Sequence, residues 1–84
     1  MATLIRTNGE QEQIQPKNGT DFQWEELNAY IGGWIEIVRI GGGEILVVDE
    51  EGLCKELPIN TTASILAGYT IVGPAVRCKS SQVK

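Results

Sequence analysis

The chain has 84 residues, a formal net charge of −4, two cysteines and no histidine. This length is typical of one small domain, and a hydrophobic fraction of 42% is ordinary for a folded protein. The negative charge disfavours nucleic-acid and membrane partners, because both attract clustered basic residues. The lack of histidine excludes Ser-His-Asp and Cys-His nucleophiles. We predict a protein that is not an enzyme, with no cofactor and no metal site; general acid–base catalysis by Glu36 is the third alternative, after two binding functions.

The sequence also gives a prediction of compartment and domain limits. No apolar stretch approaches the roughly 20 residues that cross a bilayer, and the first ten residues lack the apolar core of a signal peptide. Two cysteines do not make a disulfide framework. We expect a cytoplasmic protein with a single domain at residues 1–79 and a flexible tail at 80–84.

The N-terminal segment reads as a hairpin. Leu4 and Ile5 precede Asn8-Gly9, a pair that suits a type I′ turn, and the second arm runs to Ile14. Pro16 ends the extended segment because proline cannot donate to a strand ladder.

A first helix is predicted from residue 20. Thr20 and Gln23 have capping-box spacing, and Gly32-Gly33 can end the helix in a left-handed conformation. An apolar stripe at helical spacing should pack on the sheet; it consists of Trp24, Leu27, Tyr30 and Ile31.

Two strands follow, WIEIVRI and EILVVDE, joined by Gly41-Gly42-Gly43. Because side chains alternate along a strand, apolar residues lie on both faces of each strand, and both faces must be buried by other parts of the protein or by a second copy. The glycines predict a turn rather than a phosphate loop, because no G-K-[ST] follows. The segment LCKEL is a candidate for a short third strand after these two.

The C-terminal third predicts a second helix and a last strand. Asn60 is a good N-cap for TTASILAG, with Ile65 and Leu66 facing inward. The strand YTIVGPAVRCK is interrupted at Gly73-Pro74. The order ββ-α-ββ(β)-α-β indicates a small α+β domain, with a mainly antiparallel sheet and two helices packed on one face.

Three segments in this order have a family resemblance: QPKNGTDFQWEELNAYIGGWIEIVRI, EILVVDEEGLCKELPIN and IVGPAV. Over residues 14–76 the chain resembles small uncharacterised proteins of bacteriophages and mobile elements that share a domain of unknown function. The resemblance implies a phage or mobile-element accessory protein that acts in the cytoplasm of a host cell, with a role against host defence. It carries over no catalytic residue.

That setting leads to a first functional prediction, the sequestration of a small nucleotide-derived immune signal of the cyclic nucleotide or cyclic ADP-ribose type, without catalysis. Aromatic rings would stack on bases, and basic groups and a helix N-terminus would hold phosphates. The candidate ligand residues are Tyr30, Trp34, Glu36, Arg39, Asn60, Thr61 and Arg77. Core packing, ion pairing and helix capping are the structural alternatives for these residues.

The second functional prediction is an acidic protein-interaction module that inhibits a host protein. Its acidic surface would consist of Asp21, Glu25, Glu26, Asp49, Glu50 and Glu51. In either case the two apolar strand faces predict a homo-oligomer, a two-fold dimer or larger assembly. Candidates for that interface are Ile35, Ile37, Val47 and Ile71.

Overall fold

The computed structural model describes residues 2–52 and 54–83. Along the chain the elements are β1 (Ala2–Ile5), β2 (Gln11–Ile14), α1 (Trp24–Ile31), β3 (Ile35–Gly41), β4 (Glu44–Asp49), α2 (Thr61–Ala67), β5 (Ala75–Lys79) and a 3-10 helix (Ser80–Gln82). The strands form a five-stranded antiparallel sheet in the order β2-β1-β5-β4-β3. The α+β class is therefore confirmed.

The sheet is apolar on both faces, and each face has its own helix. In β4, Ile45 and Val47 contribute to the core under α1, whereas Leu46 and Val48 contribute to the core under α2. The prediction that both helices pack on one face is therefore wrong. A strand with aliphatic side chains in both directions needs a helix on each side of the sheet to exclude water.

Asn60 connects three parts of the fold through one buried side chain. Its amide nitrogen donates to the carbonyl of Ile5 at 3.0 Å and to the carbonyl of Gly73 at 2.9 Å. Its side-chain oxygen accepts from the backbone N–H of Ala63 at 3.1 Å, which confirms the predicted N-cap of α2. Asn60 is fully buried, so these bonds satisfy backbone groups that water cannot reach.

The first helix begins one turn later than predicted, at Trp24. The predicted cap at Thr20 is wrong, because that hydroxyl donates to the Asp21 carboxylate at 2.8 Å instead. The Glu26 carboxylate accepts from the backbone N–H groups of Gln23 at 2.7 Å and Lys17 at 2.8 Å. These bonds, the one from Gln23 foremost, lower the pKa of Glu26 below its ordinary value of 4.5.

Of the two predicted turns, the glycine turn between β3 and β4 is confirmed, whereas the type of the β1–β2 turn is not. The N-terminal hairpin forms, but Arg6 and Glu10 close a longer loop with a backbone bond of 2.8 Å, so the type I′ turn is wrong. The triple glycine is a turn, as expected, and its φ values are +90°, +64° and +76°. Three consecutive positive φ angles are readily adopted only by glycine.

The candidate strand LCKEL does not form among the described residues. Residues 54–56 form turns, and Leu53 lies outside the described residues. In α2, Leu66 faces the core as expected, but Ile65 is 76% exposed, so its inward placement is wrong.

The last strand begins after Gly73-Pro74, where the sequence predicts an interruption. Beyond it, residues 80–82 form the 3-10 helix, and Val83 makes a bridge with Phe22. The backbone N–H of Phe22 also donates to the carbonyl of Gln82 at 2.7 Å. The segment predicted as a flexible tail is thus hydrogen-bonded to the domain through the carbonyl of Gln82.

Asn60→Ala should destabilise the fold strongly. It removes the α2 cap and leaves the Ile5 and Gly73 carbonyls buried without their donor, which together cost about 2–4 kcal/mol. Urea unfolding measures the loss. Asn8→Ala, in an exposed turn, is the control and should change stability by less than about 1 kcal/mol; an equal effect of both would contradict the role of Asn60.

Glu26 should make stability dependent on pH. Because its pKa is lowered in the folded chain, its contribution is fully present above 4.5 and is lost as the pH falls through the lowered value. Glu26→Gln should therefore reduce the urea midpoint at neutral pH, and the difference from wild type should shrink as the solution is acidified. The exposed Glu25→Gln is the control. A difference for Glu26→Gln that is the same at every pH would refute this origin.

Candidate functional site

The residues predicted to bind a nucleotide do not meet in one pocket. Tyr30 is half-buried against the core under α1, whereas Trp34 is exposed. Arg39 lies on the α1 face of the sheet, opposite Ile45, and Arg77 lies on the α2 face, opposite Leu46. The two arginines therefore cannot hold the same phosphate.

Two of these residues have structural partners. Both donors of the Asn60 amide are used within the fold. The guanidinium of Arg77 forms an ion pair with Glu44 at 2.7 Å. The amide of Asn60 and the guanidinium of Arg77 are therefore both engaged within the domain.

Thr61 and Glu36 line two separate clefts. Thr61 lies in a polar cleft of about 230 Å³ between α2 and the β1–β2 turn, together with Arg6, Thr7, Asn8, Gly9, Asn60 and Thr62. Glu36 lies in a smaller cleft of about 110 Å³, which Tyr69 and Glu50 also line. Neither cleft includes Tyr30, Trp34 or Arg39.

The most unusual surface of the domain is apolar. Trp24 is 46% exposed, Trp34 is 60% exposed and Ile37 is 43% exposed. The two indole rings are 5.5 Å apart between centroids and tilted by 52°. We refer to these three residues as the tryptophan patch. Clustered exposed aromatic residues mark interaction surfaces more often than scattered ones do.

An apolar groove of about 210 Å³ adjoins the patch. It is lined by Phe22, Trp24, Leu27, Ile35, Ile37 and Val83. Phe22 and Leu27 belong to the buried core, so the floor of the groove is rigid, while Trp24 and Ile37 form its exposed walls.

Local hydrogen bonds hold the patch in place. With its amide oxygen facing the indole, Asn28 accepts from Nε1 of Trp24 at 2.9 Å and donates to the carbonyl of Gly33 at 2.9 Å. A Cβ atom at Gly33 would lie 2.5 Å from Nζ of Lys55, so glycine allows that lysine to approach. The carbonyl of Trp34 accepts from the N–H of Glu50 at 3.0 Å. Hydrogen bonds therefore hold the ring of Trp24 and the backbone of Trp34 in place.

Acidic groups surround this support, but fewer than the sequence indicates. Of the six predicted surface carboxylates, Asp21, Glu26 and Asp49 are buried. The Asp49 carboxylate binds Nζ of Lys55 at 2.9 Å. The exposed acidic groups are Glu25, in the first turn of α1, and Glu50 and Glu51, which follow β4. We call these three residues the acidic rim.

The carboxylates and the two cysteines are the side chains that bear on metal binding and nucleophilic chemistry. Among them, no group of three or more Asp, Glu or Cys side chains is placed to hold a metal ion. Cys54 is exposed, and Cys78 is buried. Burial, with the charge of Glu44 as a smaller cause, raises the pKa of Cys78 to about 11, so this thiol stays protonated and unreactive at neutral pH.

A family comparison covers nearly the whole chain. The family model described as Domain of unknown function (DUF3846) matches residues 1–83. The chain belongs to this family. No match was found among curated proteins or among solved structures. In the DUF3846 domain described above, neither helix has the length and apolar character needed to cross a membrane.

The sequence did not predict that Trp24 is exposed or that its ring contacts the ring of Trp34. It placed Trp24 in the buried stripe of α1, but only the later part of that stripe, Leu27 and Ile31, is buried. Nothing in the spacing of residues 24 and 34 predicts their contact, since tertiary packing of α1 beside β3 brings them together. The apolar character of both β3 faces was the one available signal.

Proposed function

We propose that this DUF3846 domain is a non-catalytic protein-interaction module whose tryptophan patch contacts a partner protein. The observation that supports this proposal best is the exposure of two tryptophans in ring contact, together with Ile37, beside an apolar groove. Aromatic side chains held rigidly at a surface give large contact area at a small entropic cost.

The acidic rim suggests the chemistry of the partner. Glu25 lies next to Trp24, and Glu50 is hydrogen-bonded through its N–H to the carbonyl of Trp34. With the net charge of −4, these groups would attract a partner that surrounds an apolar contact with basic residues. In the setting that the sequence resemblance implies, that partner is a host defence protein and the chain is a phage or mobile-element product.

Sequestration of a nucleotide-derived signal is the second candidate. The polar cleft supports it, because Thr61 from the predicted ligand set shares that cleft with the cation of Arg6. Arg6 already pairs with Glu12 at 2.7 Å, so a phosphate would compete with that carboxylate.

Trp34→Ala should weaken partner binding without unfolding the domain. Loss of a central aromatic contact raises a dissociation constant about tenfold or more. The wild-type chain and its variants are immobilised, proteins captured from bacterial lysate are identified, and the recovered partner is purified and titrated by calorimetry. Ile59→Ala is the matched control, since Ile59 is also 60% exposed but lies outside the patch.

Either of two results would contradict the patch as the contact surface. One is equal affinity of wild type and Trp34→Ala for the purified partner. The other is equal loss of affinity in Ile59→Ala.

Native mass spectrometry after incubation with cyclic nucleotides and cyclic ADP-ribose isomers tests the second candidate. A bound mass that Arg6→Ala removes and Arg39→Ala retains would support binding in the polar cleft. An unliganded chain across the panel would refute it.

A further inference from the structure

The outer edge of β3 offers unpaired backbone groups. Among residues 2–52 and 54–83, β3 forms a strand ladder with β4 alone and lies at one end of the sheet. Because the N–H of Glu50 donates to the carbonyl of Trp34, the alternation of an antiparallel pair directs the backbone groups of Glu36 and Val38 toward β4. Those of Ile35, Ile37 and Arg39 therefore point outward.

The opposite edge of the sheet is better protected than the β3 edge. β2 has only four residues, three of them exposed and polar, and Pro16 follows it closely. Short polar strands and proline are devices by which proteins prevent edge pairing. By contrast, β3 has seven residues, contains no proline and has the exposed Ile37 near its centre.

We propose that a second copy of this chain pairs with β3 along this edge, antiparallel, about a two-fold axis at Ile37. The two sheets would then form one continuous sheet through β3. This goes beyond the proposed function, since it concerns the oligomer that presents the tryptophan patch rather than the partner that the patch contacts.

The geometry of β3 is self-complementary in this register. A two-fold axis perpendicular to a sheet pairs residues that point to the same face, so Ile37 meets its own equivalent and Ile35 meets Arg39 of the second copy. These are the residues whose N–H and C=O groups point outward. The register uses residues 35–39 and leaves out the irregularity between Arg39 and Gly41.

Charge favours the same register. With Ile37 at the axis, Glu36 lies opposite Val38 of the second copy, and no like charges face each other. A shift of the axis to Glu36 would oppose two carboxylates, and a shift to Arg39 would oppose two guanidinium groups, which is unfavourable in either case. A second copy therefore fits this edge without any change of sequence, and it covers the exposed Ile37.

This pairing would also join the two tryptophan patches. A perpendicular two-fold axis keeps each copy's α1 face on the same side of the continuous sheet. The two grooves and the two pairs of indole rings would then lie on one side, near the axis. A partner protein would meet one extended apolar surface instead of two small ones.

Sedimentation velocity of the full chain over a concentration series tests the proposal. We expect the mass to rise from 9.2 kDa toward twice that value. Ile37→Lys places like charges at the axis and should raise the dimer dissociation constant about tenfold or more. The control is Ile65→Lys, because Ile65 is an exposed isoleucine of α2; it should dimerise like wild type.

A second pair of variants tests strand pairing itself. Arg39→Pro removes an outward N–H group and should weaken the dimer, while Arg39→Ala keeps that donor and should not. Far-UV circular dichroism establishes that each variant is folded. A wild type that keeps the mass of one chain at every concentration would overturn the proposal, as would an Ile37→Lys variant that dimerises like wild type. Neither result affects the Trp34-dependent capture that tests the proposed function.

Discussion

The structure depends on one constraint, a small sheet that is apolar on both faces. Burial of apolar surface is the main source of stability in a domain of this size, and neither face of β4 or β5 can be left in water. The chain supplies one short helix for each face, of eight and seven residues. The apolar side chains of the central strands are buried, whereas Ile37 on the edge strand β3 remains exposed. The tryptophan patch and the free edge both arise because β3 is not fully buried by the rest of the chain.

Several glycines and polar residues in the segments that carry the family resemblance have structural roles. Gly33 allows Lys55 to approach Asp49, and a Cβ at Gly52 would lie 2.7 Å from a methyl group of Val72. A Cβ at Gly73 would lie 2.7 Å from a methyl group of Leu57. Together with the buried amide of Asn60, these contacts fix the loops that connect β4, α2 and β5. This part of the domain is a rigid support for the exposed surface on β3.

The proposed surface combines features that are weak separately. An exposed tryptophan, an acidic turn and a free strand edge each occur in many domains. Here the ring of Trp24 on α1 is in tilted contact with the ring of Trp34 just before β3, Ile37 lies near the middle of that strand, and the N–H of Glu50 donates to the carbonyl of Trp34. Their coincidence on one side of one strand supports protein contact more than binding of a small ligand.

The sequence by itself determined the α+β class, both helices, the glycine turn between β3 and β4 and the cap at Asn60, because caps, periodicity and positive φ angles act within a few residues. Tertiary structure decided which face each helix covers and which carboxylates are buried. It also decided that Val47 and Ile71, expected at an oligomer interface, lie in the core, whereas Ile37 remains exposed. These outcomes depend on strand order, which places β3 at an edge and β4 inside. Strand order arises from long-range pairing, and no local pattern encodes it.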